Sequence, residues 1–585
     1  MLSSKLIKSL YPSLNNLRRL SSNAKIVVES SYITPGLSKT GVLENPQDFP
    51  SFILQNFLKS DRKDEIALVC GASNDTMTYH DVYNGCYSFA NALRSKYNIK
   101  KNECVGILSP NHIQYFSAFN GISLIQGRST TINPLYTVDE IKYQLESTNA
   151  KILIAHPMFI DNATKAANEL DIPLITLDKV STDKMDSIYQ LIEDYHITKD
   201  NVDLKTFGGA DPDSIMTIPF SSGTTGKPKG VMLTHANLHA NILQSIPQEG
   251  RNMGRDPITK EQGSLICPLP FFHIYGMIAS MCLPLFMGAK LVFLPSFDLV
   301  RFLELLQDHK IQRAHCVPPI ILALAKQPIV EKYDLSNLKS IMSAAAPLGG
   351  ELQVQAAEKL GVMIKQGWGM TELSPIGTVV PDPESFDKET IMKHLKHYQG
   401  SAGTLAPSTL GKIVCVESGK DLEYHEEGEL MIKGPQVMKG YFNNEEATKH
   451  TIRDDGWMHT GDIGYFDDEG KLYITDRSKE LIKYKGFQVA PAELEGILGT
   501  HENILDAIVI PVLNDEAGEI PRAYVVKKPD SNLSEQDVAD FIQQKVSPHK
   551  KLRGGVIFTD AIPKSASGKL LRRVMVQIDR GEISA

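Results

Sequence analysis

A chain of 585 residues is too long for a single hydrophobic core, so two or more domains are expected. Its apolar content of 42% and charged content of 22% are those of an ordinary soluble globular protein. A net charge of −8 gives no global field to attract nucleic acid, so any nucleotide must be held by a local site.

Residues 1–28 carry Lys5, Lys8, Arg18, Arg19 and Lys25, and the first acidic residue is Glu29. Leu6, Leu10, Leu14 and Leu17 fall at helical spacing in this serine-rich stretch. The pattern resembles a mitochondrial transit peptide, with a disordered basic tail in a cytoplasmic protein as the alternative. No S-K-L address closes the chain. The seven cysteines are scattered without a C-x-x-C pair, which suggests reduced thiols rather than a disulfide frame or a zinc site.

From Thr78 onward strand and helix signals alternate. Val82, Cys86, Phe89, Ala90 and Leu93 mark an amphipathic helix, residues 104–108 a short buried strand, and residues 113–125 a second helix. Thr137-Val138-Asp139-Glu140 is a capping box that opens a third helix, and residues 151–155 read as another strand. Such alternation indicates an α/β fold with parallel sheets covered by helices, whose ligands sit at the carboxyl ends of strands.

The strand expected at residues 215–220 runs into Ser221-Ser222-Gly223-Thr224-Thr225-Gly226-Lys227-Pro228-Lys229-Gly230. Glycines let backbone N–H groups approach a polyanion, hydroxyls donate hydrogen bonds and lysines supply charge, so the stretch reads as a phosphate loop, with a flexible Gly/Ser/Thr connector as the alternative. It is not a Walker A loop, because Pro228 follows Gly226-Lys227 where that motif needs a hydroxyl. Residues 264–289 contain no Lys, Arg, Asp or Glu, yet Pro268, Pro270 and Pro284 favour a buried strand–loop–helix over a transmembrane span. His273, between aromatics, either lines a pocket or is a satisfied core histidine.

Further on, Gln366-Gly367-Trp368-Gly369-Met370-Thr371-Glu372 places an aromatic able to stack on a base near a carboxylate able to hold Mg²⁺, although Gly-Trp-Gly is also a plausible turn. Asp462, after Thr460-Gly461, is suited to accept both ribose hydroxyls or to form an Asx turn. The charged stretch from Asp476 to Phe487 is the candidate domain boundary, and Pro491 is placed to open a helix. Lys569 stands on a small loop near the carboxyl end, as a surface lysine or as a charge delivered by a mobile domain.

These segments, in this order, resemble the acyl-adenylating superfamily, with most likeness to the 4-coumarate–CoA ligases. The resemblance covers roughly residues 45–580. It implies a large amino-terminal domain of βα-layered sheets with a small β-barrel (residues 31–476, after the segment 1–30). A small, mobile α+β domain would follow (residues 477–585). It also implies an ATP-dependent ligase that forms an acyl-AMP and then an acyl-CoA, with ATP, Mg²⁺, coenzyme A and a small carboxylic acid as partners. The acid would be 4-coumarate or a related aromatic acid, with a medium-chain or branched fatty acid, or a carrier protein as acceptor, as alternatives.

By the same resemblance, Ser221, Ser222, Gly223, Thr224, Thr225 and Lys229 would hold phosphates. Gln366, Gly367 and Trp368 would hold adenine, Thr371 the α-phosphate, Glu372 the Mg²⁺, and Asp462 and Arg477 the ribose. Lys569 would neutralise charge between carboxylate and α-phosphate. Lys479, Lys483 and Gln488 would meet the nucleotide in one of two domain orientations, while Lys485 and Gly486 would lie toward coenzyme A. His273, Tyr275, Ala345 and Val379 would line the acid's pocket.

Overall fold

The computed structural model describes residues 27–182, 185–197, 206–221, 228–249, 253–256, 259–477, 480–485, 487–514, 516–529, 531–565 and 568–583. The transit-peptide expectation therefore falls almost wholly outside the described residues, as do Ser222, Gly223, Thr224, Thr225, Lys479 and Gly486 and the side chain of Gln488.

Two nine-stranded sheets carry most of the chain. In the first, strands Arg128–Ile132, Cys104–Leu108, Ala150–Ala155, Leu174–Thr176 and Asp186–Ser187 run parallel, while Ile215–Thr217, Lys229–Thr234 and Phe220–Ser221 extend one edge. The second centres on the parallel strands Ile66–Cys70, Lys290–Phe293, Ser264–Cys267, Arg313–Cys316, Ser340–Ser343 and Met363–Gly369, with Ile376–Val379 antiparallel beyond them. One hydrophobic core spans both sheets and the helices between them.

Local sequence explains these elements. Thr78 and Asp81 close a capping box on helix Tyr79–Ser95, whose Val82, Cys86, Phe89 and Leu93 are fully buried. Thr137 and Glu140 do the same for helix Val138–Thr148. The charge-free stretch resolves into strand Ser264–Cys267, a wide helical segment Tyr275–Cys282 and the short helix Leu283–Met287. Among the described residues no helix is long and apolar enough to cross a membrane.

Where a β-barrel was expected, five antiparallel strands follow the order Val28–Glu29, Leu410–Val414, Gly428–Lys433, Met458–Phe466 and Leu472–Arg477. A fourth sheet, built on the long hairpin Ile504–Asn514 and Gly518–Lys527, has a separate core around Ile482, Leu494, Val509 and Val525. Pro491 opens helix Pro491–Gly499 against it, as expected.

The carboxyl-terminal unit is seated on the large one through backbone. Lys326, at the end of helix Pro318–Lys326, donates to the carbonyls of Gly499 (2.8 Å), His501 (2.9 Å) and Ile504 (2.8 Å). These include the carboxyl end of helix Pro491–Gly499, where unpaired carbonyls and the helix dipole favour a cation. Burial, with Lys528 nearby, lowers the Lys326 ammonium to about 8. Next to this contact, a methyl group added to Gly349 would lie 3.5 Å from Gly496 Cα, so two glycines let the backbones meet.

Replacing Lys326 with methionine is expected to loosen this seating, since charge-assisted bonds contribute about 1.5–3 kcal/mol each. Limited proteolysis between residues 477 and 490 should accelerate at least about fivefold on that scale. An unchanged cleavage rate would show that the three carbonyl contacts do not hold the units together.

Candidate active site

A cavity of about 1620 Å³ opens where the two large sheets, the antiparallel sheet and the carboxyl-terminal unit meet. Strand Phe220–Ser221 reaches it, with the Ser221 backbone paired to Lys229 so that the two ends of the glycine-rich motif lie side by side.

At one end of the cavity, strand Met458–Phe466 presents Asp462 directly across from Arg477 of strand Leu472–Arg477. Arg477 Nε lies 3.3 Å from Asp462 Oδ1, and Trp368 Nε1 donates to Asp462 Oδ2 at 2.8 Å. The Thr460 hydroxyl accepts the Asp462 backbone N–H at 3.1 Å. The carboxylate is thus aimed before any ligand arrives. The indole packs over Gly377, where an added methyl group would come within 2.4 Å of Trp368 Cζ3. Neither turn alternative holds, because both Trp368 and Asp462 lie in strands that have partners.

Beside them sits Glu372, buried at 5% exposure. Its Oε1 accepts hydrogen bonds from Ser221 Oγ (3.1 Å) and Tyr441 Oη (2.9 Å). Lys229 Nζ stands 5.0 Å from the centre of the Tyr441 ring. Thr371 lines the same wall.

Lys569 enters the cavity from the carboxyl-terminal unit. Its backbone N–H donates to Ser565 Oγ (3.1 Å) and its carbonyl accepts from the Ser565 N–H (2.8 Å), closing the turn that carries it. Gly568, at φ 76°, seats the turn against the large domain, since a side chain there would meet Val317 Cγ2 at 2.8 Å. Burial, then Arg477, lowers the Lys569 ammonium to about 8 against the opposing pull of Glu480 and Asp462. Burial and the Lys569 charge in turn push His273 down to about 4, which keeps that imidazole neutral at pH 7.

The cavity wall also includes Tyr275, Ala279, Met342, Ala345 and Val379. Ala345 adopts φ 73°, a conformation that favours glycine. Glu249 and His315, both almost wholly buried, also line the cavity.

Most of the expected site residues that are described line this cavity, including Ser221, Lys229, Gly367, Trp368, Thr371, Glu372, Asp462, Arg477, Lys483, Lys569, His273 and Tyr275. Gln366 is a correction. The two-residue period of strand Met363–Gly369 turns its side chain to the opposite face from Gly367, where it donates to Gln353 Oε1 (3.1 Å) and accepts from the Leu348 N–H (3.3 Å). Lys485 also stays outside the cavity wall, exposed on a hairpin with φ 46°.

Sequence reasoning missed Tyr441, Glu249, His315 and the charged residues behind them. A usable signal existed for some. Arg313, His315 and Lys365 are basic residues inside strands whose neighbours are apolar, two of them at the spacing that shares a sheet face.

Comparison with known proteins agrees with this layout. Residues 57–442 match the AMP-binding enzyme family and residues 493–569 the AMP-binding enzyme C-terminal domain. The chain is 40% identical to 4-coumarate–CoA ligase 1 of Petroselinum crispum over 87% of its own length and 90% of the relative's. It is 39% identical to 4-coumarate–CoA ligase of Vanilla planifolia over 90% and 93%. Among solved structures, ATP-bound MatB from Rhodopseudomonas palustris superposes with a TM-score of 0.77 at 24% identity, covering 90% of this chain and 98% of that one.

The setting of Lys569 has a direct readout. Its rate of modification by an amine-reactive reagent should rise through an inflection near pH 8, because the amine is charged below that value and nucleophilic above it. An inflection at the ordinary lysine value of 10.5 would place Lys569 in solvent rather than in the cavity.

Proposed function

This chain belongs to the AMP-binding enzyme family and is an acid–CoA ligase, and from that premise we propose that it activates 4-coumarate or a related aromatic acid as an acyl-AMP. A carboxylate oxygen of the acid attacks the α-phosphorus of ATP, and pyrophosphate leaves. The thiol of coenzyme A then attacks the acyl carbon, and AMP leaves. Both nucleophiles belong to substrates, so the protein's work is positioning and charge stabilisation.

The observation that carries this reading is the delivery of Lys569 into the cavity that holds Asp462, Trp368 and Glu372. Asp462, already oriented by Trp368 and Thr460, accepts the ribose hydroxyls with Arg477 beside it. Trp368 offers an aromatic face to the adenine. Ser221 and Lys229 bring hydroxyl and ammonium groups to the phosphates. Lys569 offsets the charge that builds as carboxylate meets α-phosphate, and neutral His273 orders the acid without adding a competing charge. One buried carboxylate beside a hydroxyl suits a hard cation shared with phosphate oxygens, so Glu372 with Ser221 would hold Mg²⁺, which supplies charge neutralisation when bound.

For the acid, Tyr275 offers an aromatic wall with its ring stacked on His315, 5.7 Å between centres. That wall and the 40% identity to 4-coumarate–CoA ligases support an aromatic substrate. In the second half-reaction the unit beginning near residue 477 turns on the boundary after Asp476. That rotation withdraws Lys569, turns the hairpin of Lys483 and Lys485, and brings Lys485 toward the cavity that Lys483 already lines. The basic, acid-poor first 28 residues direct the protein to the mitochondrion.

Lys569→Ala should slow acid-dependent ATP–pyrophosphate exchange by about 10²–10³ while leaving thioester formation from supplied acyl-AMP within about threefold. Equal loss in both half-reactions would overturn the two-orientation account. A reporter fused to residues 1–30 should sediment with mitochondria, and a cytosolic reporter would refute the targeting proposal.

A further inference from the structure

The two-residue period of strand Arg313–Cys316 sets Arg313 and His315 on one face. The parallel register carries that face sideways from His315 to Met342 to Lys365. Against it pack Glu249, at the end of helix His235–Glu249, and Asp382. All four charged side chains and the histidine are 3% exposed or less. Arg313 pairs with Asp382, and Lys365 pairs with Glu249 and, at 2.7 Å, with Asp382. His315 Nε2 lies 3.2 Å from Glu249 Oε1, and its Nδ1 lies 2.9 Å from Ser280 Oγ. Burial works against the Glu249 charge, but Lys365, His315 and Arg313 hold it ionised, down to about 2.

A closed set of buried ion pairs gains little over apolar packing of the same volume. This one, however, is not fully internal. Glu249 and His315 line the cavity together with Tyr275, Ala279 and Met342, and His315 stacks on the Tyr275 ring. An acid whose carboxylate points to Lys569 would lay its body along Tyr275, with its far end against an ionised carboxylate and an imidazole. Arg313 and Lys365 are committed to Glu249 and Asp382 behind that wall, so a second carboxylate on the acid would face Glu249 without a compensating cation. A hydroxyl can donate to Glu249, whereas a plain hydrocarbon end would cover the charged wall without offering it a hydrogen bond.

We infer that Glu249 and His315 form a specificity element that receives a hydroxyl at the far end of the acid and rejects acids with an apolar far end. Arg313 and Lys365 are positioning residues that hold Glu249 in its charged form, and Asp382 pairs with both of them behind it. This inference rests on reading the cavity as an acid–CoA ligase site and assigns its substrate class to particular residues.

The test uses the full-length protein and acid-dependent ATP–pyrophosphate exchange, comparing kcat/KM for 4-coumarate, cinnamate and octanoate. The wild type should prefer 4-coumarate to cinnamate by at least about 20-fold, the discrimination expected of a site built to bond a hydroxyl. His315→Met should bring that ratio below about threefold by improving cinnamate and octanoate, while His315→Gln, which retains a polar side chain, should keep most of it. ATP affinity and Tm, measured alongside, separate this change from loss of fold. Equal use of cinnamate and 4-coumarate by the wild type overturns the inference and needs no variant to do so. An unchanged ratio in folded His315→Met also overturns it. Exchange with none of the three acids contradicts the aromatic-acid ligase reading itself, and this inference with it.

Discussion

Bringing a carboxylate against a triphosphate sets like charges together in a partly dry cavity, and the structure depends on the cations that offset this. Lys569 is held at the meeting point by the closed turn at Ser565 and by Gly568 lying on Val317. Its ammonium is already destabilised by burial and Arg477, down to about 8. An approaching anion relieves that cost, so the stabilisation grows with the charge that develops during reaction. Interactions of this kind accelerate chemistry rather than merely tighten binding.

The same logic explains why the lysine is carried by a separate unit. That unit has its own core and meets the large domain through backbone contacts, with Lys326 on three carbonyls and Gly349 against Gly496. Such contacts are directional and can be released and re-formed. The cavity's fixed parts, by contrast, are built on paired strands and buried hydrogen bonds around Asp462, Glu372 and Glu249. On the proposed reading, rigid elements would hold the nucleotide and the acid, while the carboxyl-terminal unit would move and bring the decisive charge.

Local signals made much of this legible in the sequence. The apolar run at Cys104–Leu108, the Thr137 and Glu140 capping box and the proline opening helix Pro491–Gly499 all lie where the residues imply. The motif residues Trp368, Glu372, Asp462 and Lys569 are likewise brought to one cavity from three distant stretches. What stayed hidden depended on strand partners. Trp368 and Asp462 read equally well as turn residues until strands Ile376–Val379 and Leu472–Arg477 are seen beside them. Gln366 looked like a ligand contact because sequence order does not reveal which face of the strand it takes. The cluster at Glu249, Arg313, His315, Lys365 and Asp382 draws on four segments, and none of those segments announces charge burial alone. Tyr441 was missed because it stands outside every motif, and only pairing of strand Gly440–Tyr441 with Lys229–Thr234 brings it to Glu372.

The central claim is that the acid's own oxygen attacks the α-phosphorus of ATP. The most direct measurement starts from 4-coumarate labelled with ¹⁸O in both carboxylate positions, converted with ATP and coenzyme A, followed by mass spectrometry of the nucleotide and of pyrophosphate. The account predicts one ¹⁸O atom in AMP, the other retained in the thioester and none in pyrophosphate. Label in orthophosphate with ADP as the nucleotide product, or AMP without label, would contradict it.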